Sequence, residues 1–188
     1  GVHPQEEWNY VHGLKHGTHK MWHKNGQLKY TEEFVHGQLT GKRTTYFENG
    51  EKSGVVNYKD GAPFGKGVYY HKTGKKSMEF YYSPGTTKYK EWFSNGKIRT
   101  QGYQTDGLRD SLWTIYHSNG KIHEQGNYRQ GKKYGRWKRW NAQGELVNEE
   151  IIKSVPNKHK DPPMLYTPTL QYEEGFTVLI PQLAAYSN

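Results

Sequence analysis

No cysteine occurs among the 188 residues. That excludes a disulfide framework, a thiolate nucleophile and a cysteine-based zinc site. Long apolar runs are missing as well: none approaches the roughly 18–20 residues that a membrane-spanning helix needs. Aliphatic bulk is scarce, with Leu, Ile, Val and Phe together only 31 of 188 residues, and the formal net charge is +9. Such a balance usually belongs to chains that cannot bury enough surface to fold. Two features oppose that outcome. Sixteen Tyr and six Trp supply large side chains, and the 22 Gly recur in register. The expectation is a folded but thin sheet. The chain begins with Gly rather than Met, which fits a removed export signal; a periplasmic or secreted location is expected, with the cytoplasm as the alternative.

The register is set by two series of glycines. Gly26, Gly50, Gly74, Gly96, Gly120 and Gly144 are spaced 24, 24, 22, 24 and 24. Gly13, Gly37, Gly61, Gly85, Gly107 and Gly131 are spaced 24, 24, 24, 22 and 24. Fixed periods of this length mark a repeat architecture. Asn49-Gly50 sits between two strand-like runs, and Asn-Gly is the strongest short signal for a two-residue type I′ hairpin. The chain is therefore expected to be all-β: an elongated, single-layer array of about six consecutive antiparallel hairpins. Residues 1–16 read as a partial N-terminal repeat or cap and 17–150 as the array. Residues 151–188 read as a linker, over 156–163, plus a C-terminal strand over 176–181, which would cap an unpaired sheet edge. Ser83-Pro84-Gly85-Thr86-Thr87 departs from the pattern, and a kink or bulge is expected there.

Four residues before each first-series glycine stand Trp22, Tyr46, Tyr70, Trp92, Tyr116 and Trp140. A two-residue turn would pair His23 with Leu28, Phe93 with Ile98 and His117 with Ile122. On the other face it would set Trp22 opposite Lys29, Trp92 opposite Arg99 and Tyr116 opposite His123. The aromatic ladder would thus stand beside basic or small partners.

The tandem pattern Gly-x-Trp, Tyr-x-x-Asn-Gly-Lys and Tyr-x-x-Gly, clearest in Trp113 to Lys121 and Tyr128 to Trp140, resembles the MORN-repeat family. It is most similar to the bacterial MORN-variant proteins often described as antitoxin components. The resemblance covers about residues 10–150. It implies consecutive β-hairpins and a non-enzymatic binding or scaffolding role.

Signals for chemistry are weak. There is no Gly-x-Ser-x-Gly elbow and no Gly-Lys-Ser/Thr phosphate loop. Glu32-Glu33 and Glu149-Glu150 are sequence neighbours, so they point to opposite faces of a strand. His23, His71 and His117 would lie roughly 19 Å apart in sequence along a meander, too far to share an ion; only residues 12–23 leave room for a metal. No enzyme activity and no cofactor are expected. Lys132, Lys133, Arg136, Lys138 and Arg139 surround Trp137 and Trp140, a composition that suits nucleic acid. The reading adopted is a protein-binding module. Its surface is Trp22, Tyr46, Tyr70, Trp92, Tyr116 and Trp140, rimmed by Lys29, Arg99, Arg136 and Lys138. Alternatives are an antitoxin or immunity protein that neutralises a toxin, and recognition of an anionic polymer or surface: nucleic acid, phospholipid or glycan. Aromatics at fixed repeat positions also serve as a packing seam between hairpins.

Overall fold

The computed structural model describes residues 5–153 as an all-β protein. The expected linker, C-terminal strand and cap lie outside the described residues. The strands are β1 (Glu6–Glu7), β2 (Tyr10–Val11), β3 (Leu14–Lys15), β4 (Gly17–Trp22), β5 (Leu28–Val35), β6 (Gln38–Tyr46), β7 (Lys52–Lys59) and β8 (Ala62–Tyr70). They continue as β9 (Lys76–Ser83), β10 (Thr86–Trp92), β11 (Ile98–Thr105), β12 (Leu108–Tyr116), β13 (Ile122–Arg129), β14 (Lys132–Trp140) and β15 (Leu146–Ile152). Thirteen of them form one open antiparallel sheet in chain order, except that β2 and β3 pair apart and β1 lies directly against β4. Each strand packs on its sheet neighbours, so the array is a single layer.

The two glycine series make different turns, and the type I′ turn expected at Asn49-Gly50 is found in the other series. Positive φ at both central residues, the signature of type I′, occurs at His36-Gly37, Asp60-Gly61, Asp106-Gly107 and Gln130-Gly131. At the Asn-Gly turns only the glycine is left-handed, as at Gly26 with φ 84°. There Gly26 N donates to His23 O at 2.9 Å and His23 N to Gln27 O at 2.7 Å. This is a three-residue loop, a type I turn closed by a glycine bulge. His23 consequently pairs with Gln27, not Leu28.

The longer turn slips the register by one residue. Met21 pairs with Tyr30 but Trp22 pairs with Leu28, leaving Lys29 without a directly opposed partner. Likewise Trp92 opposes Ile98 and Tyr116 opposes Ile122. The expected pairs Trp22–Lys29, Trp92–Arg99 and Tyr116–His123 do not form. Apolar residues, not basic ones, stand across from these aromatics.

A second irregularity explains the shortened repeat. Between β5 and β6, Thr31 pairs with Thr44 and Glu33 with Thr40, so β6 carries two extra residues. Similar shifts occur in β7–β8, β11–β12 and β13–β14. They hold a left-handed residue, Gly41, Gly65, Ser111 or Gly135. Between β9 and β10 the register runs unbroken from Thr86↔Ser83 to Glu91↔Met78. The 22-residue spacing is the loss of this bulge. A kink or bulge was expected here, and the opposite holds: Pro84-Gly85 closes the hairpin with only Gly85 left-handed, and the strands stay regular.

Alternation puts Val56, Tyr58, Met78 and Phe80 into one cluster and Trp113, Tyr128 and Trp137 into another on the same sheet face. Trp113 is 0% and Trp137 2% exposed, although no second layer of described residues covers them. The large rings lie flat over glycines of the adjacent strand. A Cβ on Gly102 would stand 2.4 Å from Trp113, and one on Gly126 2.3 Å from Trp137. Each indole also satisfies carbonyls beside a bulge: Trp113 Nε1 donates to Tyr103 O at 2.8 Å, and Trp137 Nε1 to Asn127 O at 3.1 Å. Bulge, glycine and indole form one unit, because irregular backbone leaves carbonyls that need a donor.

Candidate interaction surface

The face opposite Trp113 and Trp137 carries the aromatic ladder. Trp22, Tyr46, Tyr70, Trp92, Tyr116 and Trp140 end β4, β6, β8, β10, β12 and β14, and all six are half-buried. Opposite them stand Leu28, Lys52, Lys76, Ile98, Ile122 and Leu146. A band of rings and aliphatic chains therefore runs across the sheet beside the Asn-Gly turns. It is held from both sides. Gln101 Nε2 donates to Tyr116 Oη at 2.7 Å, and Lys76 Nζ lies 5.6 Å from the Trp92 ring centroid.

Adjacent repeats are tied along the turn edge. His23, His71 and His117 each place Nε2 about 3 Å from a backbone oxygen of the next unit, those of Tyr46, Trp92 and Trp140. Asn25 Nδ2 donates to Glu48 O at 2.7 Å and Asn119 Nδ2 to Ala142 O at 2.7 Å. The same asparagines accept from the backbone two residues on, as in Lys121 N to Asn119 Oδ1 at 2.9 Å. Thus Asn serves as a brace between turns, a role the Asn-Gly signal alone does not reveal.

Of the four basic rim residues, Lys29 is exposed. Arg99 turns to Glu91 at 3.1 Å, and Glu91 lies in register with the core residues Met78 and Thr100. It is therefore on the wrong side to rim the ladder. Arg136 and Lys138 stay on the ladder's side but are bound by Glu149 at 3.0 and 3.9 Å.

The basic cluster around Trp137 is largely neutralised. Lys133 and Arg139 both contact Glu124, at 2.7 and 3.3 Å. Burial alone would raise the Glu124 carboxyl, but the two cations outweigh it and hold it below its ordinary value. Trp137 is buried and cannot stack on a base.

At the N-terminal end His19 is enclosed. Its Nδ1 lies 2.9 Å from Glu32 Oε1, its Nε2 lies 3.1 Å from Glu6 Oε1, and its ring stacks on Trp8. This arrangement fastens β1 to the sheet and uses the residue that a metal reading of 12–23 would need. Among the described residues no group of three or more His, Asp or Glu side chains is arranged to hold a metal ion.

This geometry of repeated hairpins joined turn to turn has a counterpart among known families. The MORN repeat variant model matches residues 15–36, 39–60 and 109–130. The three segments are similar to that repeat, and each spans one Asn-Gly hairpin, the type I turn with its glycine bulge, and its two flanking strands. No curated protein matches the chain. MORN repeats are generally associated with binding or scaffolding and are typically non-enzymatic. The ladder column is regular enough to read from sequence. The core-face column His19, Arg43, Gly67, Tyr89, Trp113 and Trp137 is chemically mixed, so its shared position in the repeat does not show as a recurring residue type.

Proposed function

We propose that the chain is a non-enzymatic binding module whose docking surface for another protein is the aromatic band on the face opposite the Trp113–Trp137 core. One observation carries this reading: six half-buried rings, four of them facing aliphatic chains and two facing Lys52 and Lys76, form a band along a single-layer sheet with no layer of described residues over them. Tyr and Trp are the residues enriched at protein interfaces, because they present apolar area with a polar handle at small entropic cost. The site residues are Trp22, Tyr46, Tyr70, Trp92, Tyr116 and Trp140, with Lys29, Arg136 and Lys138 beside them. An antitoxin or immunity role is the same act of binding with a toxin as partner.

The test is retention of a partner from the source cell's extract at about 0.5 M salt, where screening shortens charge interactions to a few ångströms. A defined protein should be retained by the parent chain and lost with the pair Trp92→Ala and Trp140→Ala, both folded by far-UV circular dichroism. Retention unaffected by that pair would remove the aromatic band from the interface.

A further inference from the structure

Where the repeat breaks, it builds a surface the other units lack. Because β9–β10 has no bulge, straight register sets Lys66 of β8, Tyr81 of β9, Lys88 of β10 and Tyr103 of β11 in one line across four strands. Strands lie about 4.8 Å apart, so lysine and tyrosine positions alternate at that spacing on one face. Tyr81 is 57% and Tyr103 44% exposed. In the next line Glu79 stands opposite Lys90. Glu79 is already engaged by Lys66 at 3.0 Å and Lys76 at 2.7 Å. Hydrogen bonding from Lys76 first, then from Lys66, holds its carboxyl below the ordinary value. Among the described residues Lys88 and Lys90 have no carboxylate partner. A shallow depression of about 410 Å³ opens between these side chains.

The contrast with the Lys133–Arg139 region is instructive. There the cations are spent on Glu124 and Glu149 and the neighbouring indole is buried. Here two cations have no carboxylate partner among the described residues, and two tyrosines are exposed. Lys88 and Lys90 are i and i+2 on one strand, roughly 6.8 Å apart, a separation that successive phosphates of an extended strand can bridge. Exposed tyrosines on a sheet face offer π-faces on which unpaired bases can stack.

We propose that this patch binds single-stranded nucleic acid along β10, with phosphates at Lys88 and Lys90, Lys66 beside them, and bases stacked on Tyr81 and Tyr103. The site differs in every residue from the aromatic band, so either can fail without the other.

The experiment is fluorescence anisotropy of the full chain with a labelled 20-nucleotide oligo(dT) over a salt series. Saturable binding is expected, with log K falling against log salt at a slope of about −1.4, that is, roughly 0.7 for each of two phosphate contacts. Tyr81→Ala and Tyr103→Ala should each weaken binding roughly tenfold, the usual scale for losing a base–aromatic stack. Lys88→Gln with Lys90→Gln should flatten the slope by about 1.4. Lys24→Gln with Lys132→Gln, both exposed and outside either surface, should change neither quantity. All these side chains are wholly or partly exposed, and circular dichroism confirms the fold of each variant. Absence of saturable binding at 50 mM salt overturns the proposal. So does binding that both tyrosine variants retain in full, which would be attraction of any polyanion. Polyglutamate displacing the oligonucleotide with equal affinity, and itself weakened by the tyrosine variants, would reassign the patch to an acidic protein segment.

Discussion

Replacing Gly126 by Ala tests how a single-layer sheet keeps a tryptophan dry. Gly126 is not in the left-handed region, so backbone strain plays no part and the question is only one of space. The new Cβ would sit 2.3, 2.4 and 2.6 Å from Cδ2, Cε2 and Cγ of Trp137, so the indole must retreat by about 1 Å to reach ordinary contact. It has little freedom to do so. Its Nε1 is bonded to Asn127 O at 3.1 Å, Tyr128 meets it edge-on at 5.1 Å, and Lys133 Nζ lies 4.0 Å from a ring centroid. Overpacking of this kind costs about 1–3 kcal/mol, and a weakened indole hydrogen bond about 1 kcal/mol more. Removing glycine from the unfolded chain offsets about 0.4–1 kcal/mol. The expected net loss is about 2–3 kcal/mol, or roughly 5–10 °C in Tm for a chain of this size. Repeat arrays can open from one end, so urea unfolding should be paired with hydrogen exchange in β13 and β14, where protection should fall most. In a double-mutant cycle, Trp137→Leu should cost at least about 1 kcal/mol less in the Gly126→Ala background than alone. An unchanged unfolding midpoint, or zero coupling between the two sites, would refute the ring-over-glycine account.

Further outcomes follow from the same geometry. Ser111 has φ 59° at the bulge position where Gly41, Gly65 and Gly135 stand; Ser111→Gly should stabilise by about 0.5–1 kcal/mol, relief of left-handed strain exceeding the entropy of glycine. Asn119→Ala removes a brace to Ala142 and should cost about 1 kcal/mol in thermal unfolding. Asn49→Ala should cost less, since Asn49 Nδ2 reaches only Glu51 of its own turn, at 3.3 Å. Burial pushes the Tyr82 hydroxyl from 10.0 up to about 12. Its neutral form therefore favours the folded state, and that contribution is complete below pH 10 and lost between pH 10 and about 12. Tyr82→Phe should reduce the alkaline drop in urea midpoint, to which Tyr58 and Tyr30, also raised by burial, contribute the remainder. Glu124, held below 4.5 by Lys133 and Arg139, works in the other direction. It stabilises above pH 4.5 and ceases to do so as pH falls through its folded value, a dependence that Glu124→Gln should abolish.

The sequence by itself determined the architecture: six hairpins at a 24-residue period, all-β, with one unit two residues short. Turn glycines act locally, through φ values that other residues adopt at a cost, so their positions can be read without knowing what packs on what. It also marked the aromatic column from Trp22 to Trp140, because those positions repeat in kind. Three matters were decided only in the folded sheet. Both turn classes contain glycine, and the register between strands settled that Asp60-Gly61 rather than Asn49-Gly50 makes the type I′ turn. A one-residue slip beside each Asn-Gly turn then moved Leu28, Ile98 and Ile122 into the places expected for Lys29, Arg99 and His123. In a structure of period two, one residue is enough to exchange neighbours. Burial and charge depended on strands far apart in sequence. Trp137 is buried because Gly126 lies beneath it, and the Lys133–Arg139 cluster is quiet because Glu124 and Glu149 arrive from β13 and β15. Lys88 and Lys90 have no carboxylate partner among the described residues because Glu79, which stands opposite Lys90, is held by Lys66 and Lys76.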